Sequence, residues 1–405
     1  MKCKSCKKNL SYTLIDLISS PIANSYSNHK YEIQKWYPLK IMICSDCWLV
    51  QVVNNVSEKE IFKDNYPYFS SISKSLLEHS KLYCEKVYKR FFKFEKNIKI
   101  LEIASNDGYL LQYFKNKKNI SKILGIEPTP QAAKLAKKKN INTICKFFSY
   151  KLSKKYKNFD LIIANNVIAH VPDINDFVKG IKNSLSSKGV ATIEFQYLVN
   201  LIKKNQFDNI YHEHFFYYSM ISINKVLERN GLKIFDVENI NTQGGSLRLF
   251  IKHKKNIKFL ITNNVNKVMK NELDLSVNST KFYKNFAQKV YSKKNSFLKL
   301  LLKIKEKNKI IIGYGAAAKG NTMINLCGIK NDLINYVVDK NSYKQKKFLP
   351  GSCIPIISDN MIKKIKPDYI IIFPWNIADE ISKSLSYTRK WNCKFIVYQP
   401  NIKIF

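Results

Sequence analysis

The chain has 405 residues, and its 69 Lys and Arg residues against 30 Asp and Glu residues give a formal net charge of +39. Hydrophobic residues make up 45% and aromatic residues 13%, which excludes a disordered or low-complexity protein and suffices for two or three packed domains. No apolar run is long enough to span a membrane and no signal-peptide segment opens the sequence. We therefore expect a cytoplasmic protein with reduced cysteines and no membrane partner.

The net positive charge comes almost entirely from lysine. Arginine occurs only at Arg90, Arg229, Arg248 and Arg389, and the lysines are spread along the whole chain. Proteins that read phosphates and base edges favour the bidentate guanidinium of arginine. We therefore interpret most of the charge as a solvated background and expect no nucleic acid partner, with a zinc-ribbon RNA methyltransferase as the alternative.

Two pairs of cysteines near the amino terminus predict a metal site. Each pair has the spacing Cys-x-x-Cys, and two such pairs together can hold a tetrahedral Zn²⁺. The pairs are Cys3 with Cys6 and Cys44 with Cys47. Because four thiolates leave no open position on the metal, we expect one structural zinc ion in a domain that spans residues 1–65.

The next part of the chain alternates short apolar runs with helical stretches. Strands are predicted at 98–103, 123–126, 159–164 and 190–195. This rhythm predicts a doubly wound, parallel α/β sheet in a domain at 66–260, and ligands of such sheets bind at the carboxyl ends of the strands.

The turn after the first of these strands predicts a cofactor site. Its amides can bind the polar parts of a nucleotide-like cofactor, and an acid at the end of the second strand can accept ribose hydroxyls. No Gly-x-Gly-x-x-Gly pattern is present, which favours S-adenosylmethionine over a dinucleotide, with an ordinary βα turn as the alternative. The predicted cofactor-binding residues are Glu102, Ser105, Asn106, Asp107, Gly108, Tyr109, Glu127, Pro128, Asn165 and Asn166.

Two histidine-containing segments follow later strands of this sheet. His170 follows the strand at 159–164, and Tyr211-His212-Glu213-His214 precedes four aromatic residues. A histidine partly buried by aromatic rings stays neutral and can accept a proton near pH 7. Proton chemistry is favoured over a metal, because the spacing is not His-x-x-x-His and no third ligand is apparent; a structural role for His170 is equally open.

A second α/β unit is predicted at 261–405. A lysine-rich helical stretch comes first, and strands are predicted at 309–313, 333–338 and 369–373. The loop Gly313-x-Gly315-x-x-x-Lys319-Gly320-Asn321 presents helix amides and a lysine to an anion, which we expect to be a diphosphate. It is not a Walker loop, because no Ser or Thr follows Lys319.

Arg248 lies in the segment Gln243-Gly244-Gly245-Ser246-Leu247-Arg248 and is one of the few arginines. An arginine in a chain that otherwise uses lysine indicates a site that needs the geometry of the guanidinium, such as one that binds a phosphate or carboxylate of the substrate. A fold-stabilising ion pair is the alternative.

Motifs along the whole chain resemble one family, the S-adenosylmethionine-dependent deoxysugar-nucleotide C-methyltransferases, in particular the C-3 methyltransferases of dTDP-4-keto sugars. The matching stretches are the paired CxxC, LEIASNDGYLL, GIEPT, NNVIAHVPD, YHEH, GGSLR, GYGAAAKGN, VVDKNSYKQKKFLPG and DYIIIFPWNIADEI. They run in the family's order from residue 3 to about 381, and the GYGAAAKGN and FPWNIADEI segments are not shared by ordinary methyltransferases. Ala104 and Ala317 depart from the family, in which Gly and Pro are usual.

The resemblance implies an α/β protein of three parts: a small zinc-binding domain, a class I methyltransferase Rossmann-like middle domain and a Rossmann-like carboxy-terminal domain. It implies His214 as the catalytic base, together with Tyr211, Glu213 and His170. A tyrosine of the segment 65–71 should also face the substrate, with the choice between Tyr66 and Tyr68 open. The expected substrate-binding residues are Tyr66, Tyr68, Arg248, Gly315, Lys319, Asn321, Tyr343 and Lys344.

The expected function is methyl transfer from S-adenosylmethionine to C3 of a nucleotide-linked 4-keto-deoxysugar through a base-generated enolate. The expected nucleotide is dTDP, and the protein is expected to be a monomer. Besides the RNA methyltransferase, a non-catalytic sugar-nucleotide-binding protein is an alternative, but the presence of His214, Glu213 and the donor loop argues against it.

Overall fold

The computed structural model describes residues 1–53, 56–62, 66 and 68–405. The strands are β1 (Tyr12–Ser20), β2 (Tyr37–Ile43), β3 (Val50–Val53), β4 (Ile98–Ile103), β5 (Ile120–Ile126), β6 (Thr143–Ile144), β7 (Phe159–Asn165), β8 (Leu185–Gln196), β9 (Phe216–Tyr217), β10 (Leu232–Ile240), β11 (Ser246–His253), β12 (Ile311–Tyr314), β13 (Val337–Val338), β14 (Ile356–Ile357), β15 (Tyr369–Ile372), β16 (Lys394–Val397) and β17 (Lys403–Ile404).

The α-helices are α1 (Glu58–Ile61), α2 (Lys74–Val87), α3 (Pro130–Lys138), α4 (Tyr150–Ser153), α5 (Ile174–Ser184), α6 (Leu198–Lys203), α7 (Met220–Arg229), α8 (Asn263–Asp274), α9 (Thr280–Tyr283), α10 (Phe286–Lys305), α11 (Ala318–Cys327), α12 (Ile362–Ile365) and α13 (Ala378–Ser384). None of those in the described residues combines the length and apolar character needed to cross a bilayer.

An antiparallel sheet forms the core of the amino-terminal part, with the strand order β1-β2-β3-β9 in the described residues. Its last strand comes from much later in the chain and pairs Phe216 with Gln51 and Tyr217 with Val50. Because β9 directly follows the histidine segment at 211–214, this pairing ties that segment to the amino-terminal part.

The middle sheet has seven strands in the order β10-β11-β8-β7-β4-β5-β6 within the described residues. The strands β4 to β8 run parallel, while β11 lies antiparallel between β8 and β10. This confirms the predicted doubly wound class I methyltransferase fold. The strand order reverses at β4, which lies between β5 and β7, so the crevice at the carboxyl end of β4 is where a ligand of such a sheet binds.

The carboxy-terminal sheet has the strand order β14-β13-β12-β15-β16-β17 in the described residues. It follows the 20-residue helix α10, and its first five strands are parallel. The strand predicted at 333–338 is shorter than expected, since only Val337–Val338 pairs. The amides of Leu333 and Ile334 instead donate to the carbonyl of Lys330, which closes a turn there.

The carboxy-terminal part packs directly against the loops that precede the histidine segment. Asp208 is fully buried, and its Oδ2 accepts the indole N–H of Trp375 at 2.6 Å and the hydroxyl of Tyr398 at 3.1 Å. The hydroxyl of Thr322, on α11, donates to the carbonyl of Ile210 at 2.9 Å. These bonds set the position of α11 relative to the middle sheet.

Replacing Asp208 with alanine should destabilise this contact. The substitution leaves the donors of Trp375 and Tyr398 buried without their acceptor, and an unsatisfied buried polar group costs about 1–3 kcal/mol. We expect Asp208→Ala to lower the unfolding midpoint in differential scanning calorimetry, while Asp332→Ala, which removes an exposed carboxylate, leaves it unchanged. Equal midpoints for the two variants would contradict this role of Asp208.

Candidate active site and zinc centre

The four amino-terminal cysteines converge on one point. Their sulfur atoms all lie within 4.8 Å of one another, with Cys3 Sγ 3.6 Å from Cys47 Sγ and Cys6 Sγ 3.4 Å from Cys44 Sγ. A tetrahedral Zn²⁺ with Zn–S bonds of about 2.3 Å requires sulfur–sulfur distances of roughly 3.8 Å. The Nε2 of Gln51 also lies 3.3 Å from Cys3 Sγ, as expected of a group that orients a metal ligand. The cluster therefore fits a structural zinc.

The predicted donor loop lies at the carboxyl end of β4, in the crevice where the strand order reverses. Its backbone is left-handed at Ala104 (φ 56°), Asn106 (φ 48°) and Gly108 (φ 74°). A side chain at Gly108 would lie 2.5 Å from Ile141, so the turn requires glycine there. Ala104 adopts a conformation that suits glycine, which accounts for the family's usual residue at this position.

Buried polar atoms at this loop lack protein partners. They are Glu102 Oε2, Ser105 Oγ, Asp107 Oδ1 and Asn165 Oδ1, all from predicted cofactor-binding residues. Burial, with the nearby charges of Glu127 and Asp107, raises the pKa of Glu102 well above its usual value. Unsatisfied buried polar groups are costly, so their clustering fits a polar ligand that completes their hydrogen bonds. The residues present therefore fit S-adenosylmethionine.

Glu127 lies directly after β5, as predicted, and is held in place by the donor loop. Its Oε2 accepts the amide of Asn106 at 2.9 Å, and its Oε1 accepts the amide of Thr129 at 2.9 Å. The remaining predicted donor-site residues surround the crevice: Tyr109 is buried, Pro128 half-buried, and Asn166 exposed with φ of 56°. Their contact with the donor stays a prediction.

The segment at 68–71 lies against the donor loop. The Oδ1 of Asn106 accepts the amide of Ser70 at 2.8 Å, and its Nδ2 donates to the carbonyl of Tyr68 at 3.1 Å. The amide of Ser71 donates to Asp107 Oδ2 at 3.3 Å. Asn65 and Pro67 of the predicted substrate motif lie outside the described residues.

His214 and His170 form a close pair, with ring centroids 4.7 Å apart. His214 Nδ1 lies 2.9 Å from the carbonyl of Asn209, and His170 Nδ1 lies 2.8 Å from the carbonyl of Glu213. A carbonyl can only accept, so each Nδ1 carries the proton and each Nε2 is left with its lone pair. The hydroxyl of Tyr211 lies 2.9 Å from His214 Nε2.

Burial keeps both imidazoles neutral. It lowers the pKa of His170 to about 4, and burial together with His170 and Lys319 lowers the pKa of His214 well below its usual value. Both rings are therefore ready to accept a proton at neutral pH.

Glu213 is fully buried beside this pair. Its Oε1 accepts the backbone amide of Asn24 at 3.2 Å and the side-chain amide of Asn24 at 3.1 Å, while its Oε2 has no partner. Burial raises the pKa of Glu213 to about 7. The same Asn24 side chain donates to the hydroxyl of Tyr66 at 3.2 Å, whereas the side chain of Tyr68 is half exposed. The structure thus joins Tyr66 to the polar network.

The predicted anion loop of the carboxy-terminal part contacts its own domain and the amino-terminal part. Gly315 has φ of 86° and packs against Pro374, and Asn321 donates to the carbonyl of Ala23. Lys344 pairs with Asp339 at 3.5 Å, and the half-exposed Tyr343 contacts the ring of Phe69. Substrate contacts of these residues stay predictions.

Arg248 is buried in an ion-pair network within the middle sheet. Its Nη2 lies 2.9 Å from Glu194 Oε2 and 2.9 Å from His79 Nε2, and its Nη1 lies 3.3 Å from Glu238 Oε2. Its guanidinium also covers the ring of Tyr83. These contacts are the fold-stabilising ion pair that was the alternative to substrate binding.

Three residues at the site have no motif that marks them in the sequence. Asn24 holds Glu213, Asn209 orients His214 through its backbone carbonyl, and Asp208 joins the carboxy-terminal part to this segment. A backbone carbonyl leaves no residue-type signal, and Asn24 lies 189 positions from its partner. Asp208 and Asn209 are close to YHEH in sequence, and that proximity is the one signal available.

The cysteine cluster predicts a measurable zinc content. We expect about one zinc ion per chain by plasma mass spectrometry. Cys44→Ser should lose the zinc and lower the unfolding midpoint, because the metal joins two distant loops. The control Cys145→Ser, at an exposed cysteine outside the cluster, should retain it. A Cys44→Ser protein with full zinc content would contradict the assignment.

Comparison with known families divides the chain into three matched segments. Residues 3–62 match the model of a zinc binding domain, residues 76–237 that of a methyltransferase domain, and residues 241–400 that of the C-methyltransferase C-terminal domain. The segments follow one another in the order of the three sheets.

Individual relatives include one that is similar over the full length. The C-methyltransferase NovU of Streptomyces niveus is 26% identical over 409 residues, covering 100% of this chain and 96% of the relative. An S-adenosylmethionine-dependent methyltransferase from Clostridium acetobutylicum (14% identity, TM-score 0.35) covers 43% of this chain and 90% of its own. Magnesium protoporphyrin IX methyltransferase from Synechocystis (13% identity, TM-score 0.35) covers 44% and 84%. The three family matches and the full-length similarity to a C-methyltransferase support an S-adenosylmethionine-dependent C-methyltransferase with an amino-terminal zinc-binding domain.

Proposed function

We propose that the protein transfers the methyl group of S-adenosylmethionine to C3 of a nucleotide-linked 4-keto-deoxysugar. The observation that carries this proposal is the pair His214 and His170, both neutral and both with Nε2 as the proton acceptor. Methylation of carbon requires a carbanion or its equivalent, and a base beside the methyl donor site can generate one from a carbon that a ketone has acidified. We propose dTDP as the nucleotide, a cytoplasmic location and a monomeric enzyme, on the family resemblance.

His214 is the residue best placed to act as the base. The carbonyl of Asn209 fixes its Nδ1–H, so the free electron pair is at Nε2. That atom removes the proton at C3, the electron pair of the C–H bond forms the C3–C4 double bond, and the carbonyl electron pair moves to O4. Tyr211, which donates to Nε2 in the absence of substrate, can turn its hydroxyl to the oxyanion when Nε2 becomes protonated.

Glu213 supplies a second donor to the sugar. Below about pH 7 its carboxyl is neutral, and the unpartnered Oε2 carries a proton that can be donated to a substrate oxygen. A carboxylic acid kept neutral by an apolar environment acts as a hydrogen-bond donor in this way.

S-adenosylmethionine, when bound at the donor loop, supplies an electrophilic methyl group. The residues of this chain orient the acceptor: His214 and Tyr211 act on the enolate, and Tyr66 and Asn24 close the side that faces the amino-terminal part. The C3–C4 electron pair would form the new bond to the methyl carbon as the methyl–sulfur bond breaks and its electron pair leaves on sulfur, and the carbonyl at C4 would be restored.

A substrate panel tests this function directly. We would incubate the purified enzyme with labelled S-adenosylmethionine and dTDP-, GDP- and CDP-linked 4-keto sugars, and detect methyl transfer by mass spectrometry. Methylation at C3 of one of these sugars is the expected result. Failure with all of them, together with methylation of RNA, would overturn the proposal in favour of the RNA methyltransferase.

Replacing His214 should stop proton removal. We expect His214→Asn to reduce exchange of the C3 proton with deuterated solvent by about 10²–10⁴-fold, the usual contribution of a positioned base. Binding of S-adenosylmethionine, measured by calorimetry, should stay unchanged. The exposed His29→Asn serves as the matched control. Exchange at the wild-type rate in His214→Asn would refute the assignment.

The state of Glu213 should set a pH dependence. Since burial raises its pKa to about 7, the neutral donor is present below that pH and is lost above it. We expect C3 exchange to decline as the pH rises through about 7, and Glu213→Gln, which keeps an uncharged donor, to lack this decline. A wild-type profile that is flat through pH 7 would contradict the role of Glu213.

A further inference from the structure

Lys319 lies one helical turn before Thr322, whose hydroxyl holds the carbonyl of Ile210 directly before Tyr211. It extends from the first turn of α11 and is buried over the ring of Trp375, 4.8 Å from the ring centroid. Its Nζ donates to Gln243 Oε1 at 3.2 Å and to Asn376 Oδ1 at 3.3 Å. The same Trp375 donates to Asp208, next to the Asn209 carbonyl that orients His214.

Part of the loop before α11 is already occupied by contacts within the protein. The amide of Ala316 already donates to Asp339 Oδ2 at 2.8 Å, and the carbonyl of Ala316 accepts the hydroxyl of Tyr26 and the Nζ of Lys344. Gly315 packs against Pro374, so its lack of a side chain serves the packing of the chain. The Nζ of Lys319 instead bonds to Gln243 and Asn376, which lie outside this loop.

We propose that Lys319 supplies the positive charge that stabilises the enolate oxygen during C3 deprotonation, and that the carboxy-terminal domain delivers this charge to the methyltransferase site. This inference rests on the proposed function. It replaces diphosphate binding as the role of Lys319 and gives the carboxy-terminal domain a part in the chemical step.

The proposal follows from the charge balance of that step. The proton of C3 moves to His214 Nε2, and a full negative charge develops on O4 in a buried site. A fixed cation in such a site interacts far more strongly with that charge than it would in water. Asp208 stabilises the ammonium form of Lys319, and Lys319 in turn helps to lower the pKa of His214. Lys293 also interacts electrostatically with Asp208.

Three variants test the proposal. Lys319→Met removes the charge and keeps most of the volume, Lys319→Arg keeps the charge, and Lys330→Met removes a lysine that bonds to Gly351 outside the site. We would measure C3 proton exchange, kcat and KM for the sugar nucleotide that the wild-type enzyme accepts, and the pH profile of exchange.

For Lys319→Met we expect exchange and kcat to fall by about 10²–10³-fold, as on loss of one oxyanion-stabilising group, with KM changed by less than about 3-fold. Lys319→Arg should recover most of the rate and lack the alkaline decline near pH 8, since arginine stays protonated. The acid limb should move to higher pH in Lys319→Met, because removing a nearby cation raises the pKa of His214.

Two results would overturn the inference while the proposed function stands. One is wild-type exchange in Lys319→Met; the other is a large rise in KM at unchanged kcat, which indicates binding of the nucleotide phosphates. A loss of rate in Lys319→Met that arginine does not recover, with an unmoved pH profile, would indicate a packing role and also overturn it. If the wild-type enzyme exchanges no C3 proton, the proposed function itself fails.

Discussion

The burial of residues 206–217 between the three sheets is the constraint on which the site depends. One end of this segment pairs with β3 through Phe216 and Gln51, and the other accepts bonds from Trp375 and Thr322 of the carboxy-terminal part. Because both ends are fixed, the carbonyls of Asn209 and Glu213 hold the two histidine rings. A backbone carbonyl does not change its protonation state, so the fold itself sets which ring nitrogen is basic.

Desolvation is the common cause of the unusual acid–base properties at the site. It makes His170 and His214 weaker bases than free histidine, raises the pKa of Glu213 to about 7 and lowers that of Lys319 to about 8. Burial disfavours the charged form of each group, whatever its sign. Such a site carries little net charge before the substrate binds. A charge that develops there during the reaction interacts strongly with the remaining dipoles and cations, because little water screens it.

The three sheets contribute to the site in different ways. The zinc cluster stabilises the β1–β3 sheet, and the loop after β1 supplies Asn24. The middle sheet supplies the donor crevice at its reversal point, and the carboxy-terminal sheet supplies α11 with Lys319. Ser27 and Phe348 exchange backbone hydrogen bonds of 3.2 and 2.9 Å, which joins the amino-terminal and carboxy-terminal parts directly. We therefore expect the loss of any one of these contacts to disturb the site, even where the contacting residues supply no reacting atom.

The net charge of +39 contributes little to this chemistry. Arg248, the arginine singled out by its rarity, is occupied by Glu194 and Glu238 within the middle sheet. Lys319 is the lysine to which we assign a chemical role, and its burial distinguishes it from the many lysines on the surface.

The sequence by itself determined the features that depend on local spacing: the two cysteine pairs, the alternation of strands and helices, the donor loop with its acid at Glu127, and the histidine segment. Local spacing suffices there because a knuckle, a βα turn and a strand each involve neighbouring residues. The tertiary structure alone decided which distant groups meet. It joined Tyr66 to Glu213 through Asn24, gave Arg248 its acidic partners and shortened the strand expected at 333–338. It also joined Lys319 to Gln243 of the middle domain. Such contacts depend on how the sheets pack against one another, and burial then sets the protonation of each group, which no spacing in the sequence encodes.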